Sequence, residues 1–292
     1  MEIQRIDTFS GHKAPIYSLE EGREPHFIYS AGSDGWVVEW NLQKPDVGKV
    51  LAHIEGSVYC LKLDRSSDIF WVGQNFEGIH GVQISDQNRV FSIAMPKKAI
   101  FDICFWDNQV WVAHDYGLIS VIDKESLQII KHIKSGDKSA RKFCLLGQDK
   151  IAIGFSDGFI RVFNKNFELE HVWLAHELSV FSMIYEESFN YLLSVGRDAK
   201  LKRWSLNGEK SYLVQEVAAH IYAIHDMHFS PDGNWLATAS MDKTVKIWET
   251  QGLKLRKVLD ASRHGGHKNS VNKLIWSSFE DLLVSASDDK NL

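Results

Sequence analysis

One short pattern recurs along this chain, and it limits the possible folds more than anything else in the sequence. Its clearest copy, residues 219–250, reads AHIYAIHDMHFSPDGNWLATASMDKTVKIWET. Three strand-like runs, AIHDMHFS, NWLATAS and TVKIW, are separated by Pro231-Asp232-Gly233-Asn234 and by Met241-Asp242-Lys243. Strands this short cannot cover both of their own faces, so one copy is unstable alone and several must stack.

The opening run returns as PIYSLE, GSVYCLKL, AIFDICFW, SARKFCLL, LSVFSMIY, AIHDMHFS and SVNKLIWS. The residue after the apolar one that opens each run marks the register: Tyr17, Tyr59, Phe101, Arg141, Phe181, His225 and Asn272, at intervals of 42, 42, 40, 40, 44 and 47 residues. A period of roughly 40–45 residues is that of a propeller blade. Helical periodicity is nearly absent, and alternating β patterns bounded by Gly, Asp, Asn and Ser fill most of the length. A four-strand unit repeated seven times selects a propeller over a sandwich or a barrel. The fold expected is therefore all-β, a seven-bladed β-propeller of four-stranded antiparallel blades, forming a single domain over residues 1–292 without a low-complexity linker.

The positions around each run resemble the WD-repeat (WD40) β-propellers, whose mark is a His before the first strand, Ser or Thr in the second, Asp in the turn after it and Trp near the end of the third. Those positions are His12, Ser30, Asp34 and Trp40 in repeat one, His176, Ser194, Asp198 and Trp204 in repeat five, and His220, Thr238, Asp242 and Trp248 in repeat six. The resemblance implies a structural relay in which Asp accepts from His, His reaches the hydroxyl and the hydroxyl reaches the indole N–H. Repeat seven keeps His267, Ser285 and Asp289 but has no Trp. Repeat four has Phe163 for Trp, Ile153 for the hydroxyl and Asp157 without a His, and repeats two and three keep mainly strands and turns. The weakly patterned repeats are expected to depend on neighbour packing more than on internal polar networks.

Repeat seven has only Lys290-Asn291-Leu292 for a third strand. Members of this family commonly close by lending an N-terminal strand to the last blade, and residues 2–9 suit that role. The expectation is a seventh blade incomplete at the C-terminus, closed by the N-terminal strand, or a chain cut short.

Composition narrows the function. With 44% hydrophobic and 24% charged residues the chain can bury a core and keep a solvated exterior. A net charge of -5 gives no reason to expect nucleic acid as partner. Cys60, Cys104 and Cys144 are odd in number and lack CxxC spacing, which fits small buried thiols. No basic-then-apolar leader, no apolar run of the roughly 20 residues that span a membrane and no glycosylation sequon occurs, so an intracellular place is expected, cytoplasmic by default with the nucleus as alternative.

No motif calls for catalysis. Gly154-Phe155-Ser156-Asp157-Gly158 matches GxSxG, but a nucleophile elbow needs a strand-to-helix turn and here the strand-like FIRVF follows. His225 and His228 are three apart on a strand and point to opposite faces. His264 and His267 share a loop with no Cys or nearby carboxylate to complete a metal set. No P-loop or dinucleotide fingerprint appears. No enzyme, cofactor, metal or small-molecule substrate is expected.

In a propeller, first strands line the central channel, and the register residues fall near their starts. Tyr17, Tyr59, Phe101, Arg141, Phe181, His225 and Asn272 would surround one channel mouth, where proteins resembling this one often bind peptides. Rings offer apolar area at low entropy cost and can hold a cation, and Arg141 suits a carboxylate. The bland alternative is that the rings plug the channel or pack between blades. Arg197 and Met241, just before turn aspartates, add reach. The function expected is a non-catalytic protein–protein interaction scaffold holding a peptide or protein segment at this face. One alternative is a structural subunit whose incomplete seventh blade a partner strand completes. A weaker one is a propeller-scaffold enzyme, for which His225 is the lone candidate base.

Overall fold

The computed structural model describes residues 3–45, 48–207 and 210–292. The repeated runs form antiparallel sheets whose strands pair in sequence order. Blade one consists of Ile16–Glu21, Phe27–Gly32, Trp36–Asn41 and Lys49–His53. Blades two to six begin with Val58–Asp64, Ile100–Trp106, Ala140–Leu146, Val180–Glu186 and Ile224–Phe229.

Burial follows strand position. Second strands such as Gln109–His114 are buried along nearly their whole length, whereas fourth strands such as Leu169–Leu174 alternate between exposed and half-buried residues. A strand covered on both faces reads as continuously apolar, and one facing solvent alternates. This is why IFWVGQ and QVWVAH are so apolar beside RVFSIA and LEHVWL.

The expected blade count is corrected. Among the described residues there are six four-stranded blades, not seven. The last repeat forms a two-stranded sheet, Val271–Trp276 against Leu283–Ser287. Its next residues are taken up by a turn, with Lys290 N donating to Ser287 O and Asn291 N to Asp289 Oδ1. The N-terminal closing strand is corrected as well. Residues 3–9 form no strand; Glu2, first of that segment, lies outside the described residues. One isolated antiparallel bridge joins Ser10 to Asn291, and Phe9 and Leu292 exchange both backbone hydrogen bonds at 3.0 Å. Three residues after a tight turn are too few for a strand of ordinary length, so pairing stops at the bridge.

Two compact units are present: residues 1–97 with 226–292, and residues 98–225. In the first, Tyr29 and Phe70 meet edge to face at 4.6 Å within an apolar cluster that also holds Val37, Leu61 and Val72 of blades one and two. The two-stranded sheet packs Ile275, Val284 and Ala286 against Ile16, Ile28 and Trp40. In the second unit, Trp106 and Trp111 of blade three pack with Phe143, Phe155 and Phe163 of blade four. Ile160, Val180 and Trp204 join blades four and five. The turns that permit this are tight. Gly35 and Gly158 sit at φ +72 and +84, and a Cβ there would lie 1.9 Å from Ile54 O and 2.0 Å from His176 O.

Candidate functional site

Each register residue is the second residue of its blade's first strand, and the pairing register explains its special place. Ile16 pairs with Gly32 and Ser18 with Ala31, so Tyr17 has no partner of its own. The same slip occurs at Tyr59, Phe101, Arg141, Phe181 and, in the two-stranded sheet, Asn272. Each is the extra residue of a β-bulge, a device that takes a side chain out of the in–out alternation and re-aims it. All seven register residues, His225 included, are half-buried.

In the first unit Tyr17 and Tyr59 stack, with ring centroids 4.8 Å apart at 27°. Burial, the neighbouring Tyr59 and Asp288 push the Tyr17 hydroxyl up, while a hydrogen bond with Ser33 works the other way. Asn272 Nδ2 donates to Ile16 O and to Asp288 Oδ1, both at 2.8 Å, so its amide hydrogens are engaged within the unit.

The second unit holds Phe101, Arg141, Phe181 and His225. The Arg141 guanidinium carbon lies 3.9 Å from the Phe101 ring centroid and 5.2 Å from that of Phe181. Phe181 meets His225 edge to face at 5.5 Å. A guanidinium flanked by two rings keeps its charge while its planar faces are desolvated, so its N–H edge is suited to an oxygen acceptor. Arg197 and Met241 are exposed at the turns of blades five and six, and Arg197 N donates to Ser179 O.

Around these positions the blades carry polar relays. In blade one Trp40 Nε1 donates to Ser30 Oγ at 2.8 Å, Ser30 lies 2.7 Å from His12 Nε2, and His12 Nδ1 lies 2.9 Å from Asp34 Oδ2. With the proton on Nδ1, every group donates to the next and the chain ends on a carboxylate. Blade five repeats it with Trp204, Ser194, His176 and Asp198 at 2.9, 2.8 and 2.8 Å. In blade six Trp248 Nε1 donates to Thr238 Oγ1 at 2.9 Å, Asp242 accepts from Thr244, and His220 is buried. Burial alone would raise the aspartates, but the His partners and backbone N–H groups outweigh it. Asp34 and Asp198 are held low, and Asp289, paired with His267, is held to about 2.

The weakly patterned blades hold polar networks as well as the neighbour packing on which they are expected to depend more. Asp157 of blade four, with no His, takes both guanidinium nitrogens of Arg161 at 2.7 and 3.2 Å, and Arg161 lies 4.3 Å from the Phe155 ring centroid. In blade three His114 Nε2 and His132 Nδ1 each lie 3.0 Å from Ser120 Oγ. Blade two uses Gln74, which donates to Glu55 O and accepts from Glu77 N. Ser156, the residue of the GxSxG match, lies in a turn leading straight into the strand Phe159–Asn164.

The sequence reading missed Tyr116, Lys98, Lys134 and Lys138, which lie together in the second unit, and the exposed loop residues Leu178, Ile221 and Tyr222. The available signal was an aromatic just before Gly117 in a blade turn; Lys98 and Lys138 come from two other loops and Lys134 from the end of the strand Ile129–Lys134. Among the described residues no group of three His, Cys, Asp or Glu side chains is placed to hold a metal, and no helix is long and apolar enough to cross a membrane.

Residues 3–41, 211–249 and 259–292 match the family described as WD domain, G-beta repeat. The structure matches the crystal structure of the WD40 beta propeller domain of Doa1 with a TM-score of 0.85 over 99% of this chain and 95% of that one, at 16% identity. The fold is that of a WD40 β-propeller, and three stretches of the chain match the WD-repeat family. Human striatin is 24% identical over 263 residues, which are 78% of this chain and 33% of striatin. Mouse striatin-3 is 22% identical over 248 residues, 75% of this chain and 31% of the relative. The propeller thus spans about a third of the length of these relatives.

Proposed function

We propose that this propeller is a non-catalytic protein-interaction scaffold that holds a peptide or protein segment on the face bearing the register residues, with Phe101, Arg141 and Phe181 as its anchor. The observation that carries the reading is the flanked guanidinium: Arg141 lies 3.9 Å from one ring and 5.2 Å from another at three successive β-bulges. A bulge that interrupts pairing to display a side chain has a use in presentation, and the rigid sheet behind it keeps the ordering cost of binding low. Tyr17 and Tyr59 offer an aromatic surface in the other unit, where Met241 is also exposed, while His225 and Arg197 extend the display around Arg141. Protein partners follow from this reading.

The test is affinity purification of the tagged chain beside the variant Phe101→Ala/Arg141→Ala/Phe181→Ala. Partners captured by the wild type should be lost by the variant while the thermal midpoint confirms folding. The same partners on a folded variant would overturn the reading.

A further inference from the structure

The turn of blade three holds an exposed aromatic in the left-handed region, as the turn of blade two does with Phe76 at φ 77. Tyr116 occupies the left-handed region, φ 55 and ψ 32, yet is 57% exposed. A bulky residue in that conformation is uncommon, and such outliers gather at ligand-contacting sites. Surrounding loops fix it there: Asp115 N donates to Ala99 O at 3.1 Å, Ser135 N to Gly117 O at 2.9 Å, and Ser139 Oγ to Asp115. A Cβ on Gly117 would meet Gly136 O at 2.4 Å, so the two loops touch through backbone.

This knot gathers positive charge. Lys98 Nζ sits 4.1 Å from the Tyr116 ring centroid. Lys134 donates to Tyr116 O and pairs at 3.3 Å with Asp137, which is 94% exposed. Lys138 is exposed and forms no hydrogen bond or ion pair with a described residue. Arg141 follows three residues on. The carboxylates present are Asp115, engaged by Ser139 Oγ and Tyr116 N, and Asp137; the nearby Arg161 and Asp157 neutralise each other. Among the described residues named here, three lysines and Arg141 stand beside two carboxylates, in a chain whose net charge is -5.

We propose that the surface formed by Lys98, Tyr116, Lys134, Lys138 and Arg141 docks a carboxylate-rich peptide segment, which deepens the scaffold reading above and rests on it. Lysines and an arginine around an exposed ring suit acidic side chains alternating with an apolar one. A nucleic acid would need a broader basic face and would meet repulsion from the remaining acidic surface.

The experiment titrates the purified chain against a short labelled Glu-rich peptide with an apolar centre, its Lys-rich counterpart and a single-stranded oligonucleotide of matching charge. The Glu-rich peptide should bind best, weaken as salt rises, and lose about tenfold or more in affinity with Lys98→Glu/Lys138→Glu. Lys138→Glu alone, at an exposed position, guards against a folding defect and should lose part of the same affinity. Equal binding of the Lys-rich peptide, tighter binding of the oligonucleotide, or indifference to both charge reversals would overturn the assignment. If the triple variant loses its cellular partners while the Glu-rich peptide fails to bind the wild type, the acidic assignment alone falls. If that variant keeps its partners while Lys138→Glu weakens the peptide, the anchor reading alone falls.

Discussion

Blades four and five are neighbours in the chain and solve one problem in two ways. Each has an aspartate in the turn between its second and third strands whose charge must be balanced. Blade five brings His176 in from the preceding loop and carries the relay through Ser194 to Trp204, joining four segments. Blade four has Ile153 in place of the hydroxyl, and Asp157 takes Arg161 from the strand that follows, joining two segments four residues apart. Between these two blades the turn aspartate is constant and its partner changes. What differs is how far the network reaches: blade five ties its entering loop to its core, and blade four leaves that task to Phe143, Phe155 and Phe163.

The strongest challenge to this contrast lies in the packing. Trp111 of blade three is fully buried against Trp106, Phe143 and Phe163. Trp111→Ala should cost about 3–5 kcal/mol, measured by urea denaturation. A loss below that of any relay variant would show that packing does not carry blades three and four. Next comes Asp198→Ala, which strands the buried His176 Nδ1 and should cost about 1–3 kcal/mol. Arg161→Met should cost less than about 1 kcal/mol, because it removes an ion pair that water still reaches; parity between the two variants would erase the distinction.

Acid separates the blades further. Burial, then the neighbouring His132 and Lys98, lower His114 from 6.5 to about 4. The unfolded chain takes up that proton first, so stability should fall as pH drops from about 6.5 to about 4. Asp34, Asp198 and Asp289 lie below the ordinary 3.8, Asp289 at about 2. Their contribution is complete above about pH 4 and is lost as pH falls toward 2. Thermal midpoints against pH should show two steps, and His114→Gln should shrink the upper one, to which the lowered His80 and His171 also contribute, and leave the lower one. An unchanged upper step would assign that loss elsewhere.

The repeat was legible because its period is written in apolar runs and turn residues, which local chemistry dictates. The relays of blades one and five could be anticipated because His12, Ser30, Asp34 and Trp40, like their blade-five counterparts, keep a fixed spacing. The Asp157–Arg161 pair could not, since its partner comes from the opposite side of the turn. The blade count went wrong because a run resembling a first strand does not guarantee the strands after it; the run at 271–276 gained one partner strand only. The Lys98–Tyr116–Lys138 surface was hidden because three loops contribute to it and no one segment reads as basic and aromatic.

The bulges have a consequence for how such a protein changes over time. A residue in the regular ladder answers to the strand opposite and to the neighbouring blade, so replacing it disturbs the sheet. Tyr17, Tyr59, Phe101, Arg141, Phe181 and Asn272 stand outside the first of these obligations. Each behaves as a socket whose fitting can be exchanged while the frame stays as it is. Three kinds of chemistry, aromatic, cationic and amide, already occupy the same socket in one chain, so recognition can drift here without breaking the ladder.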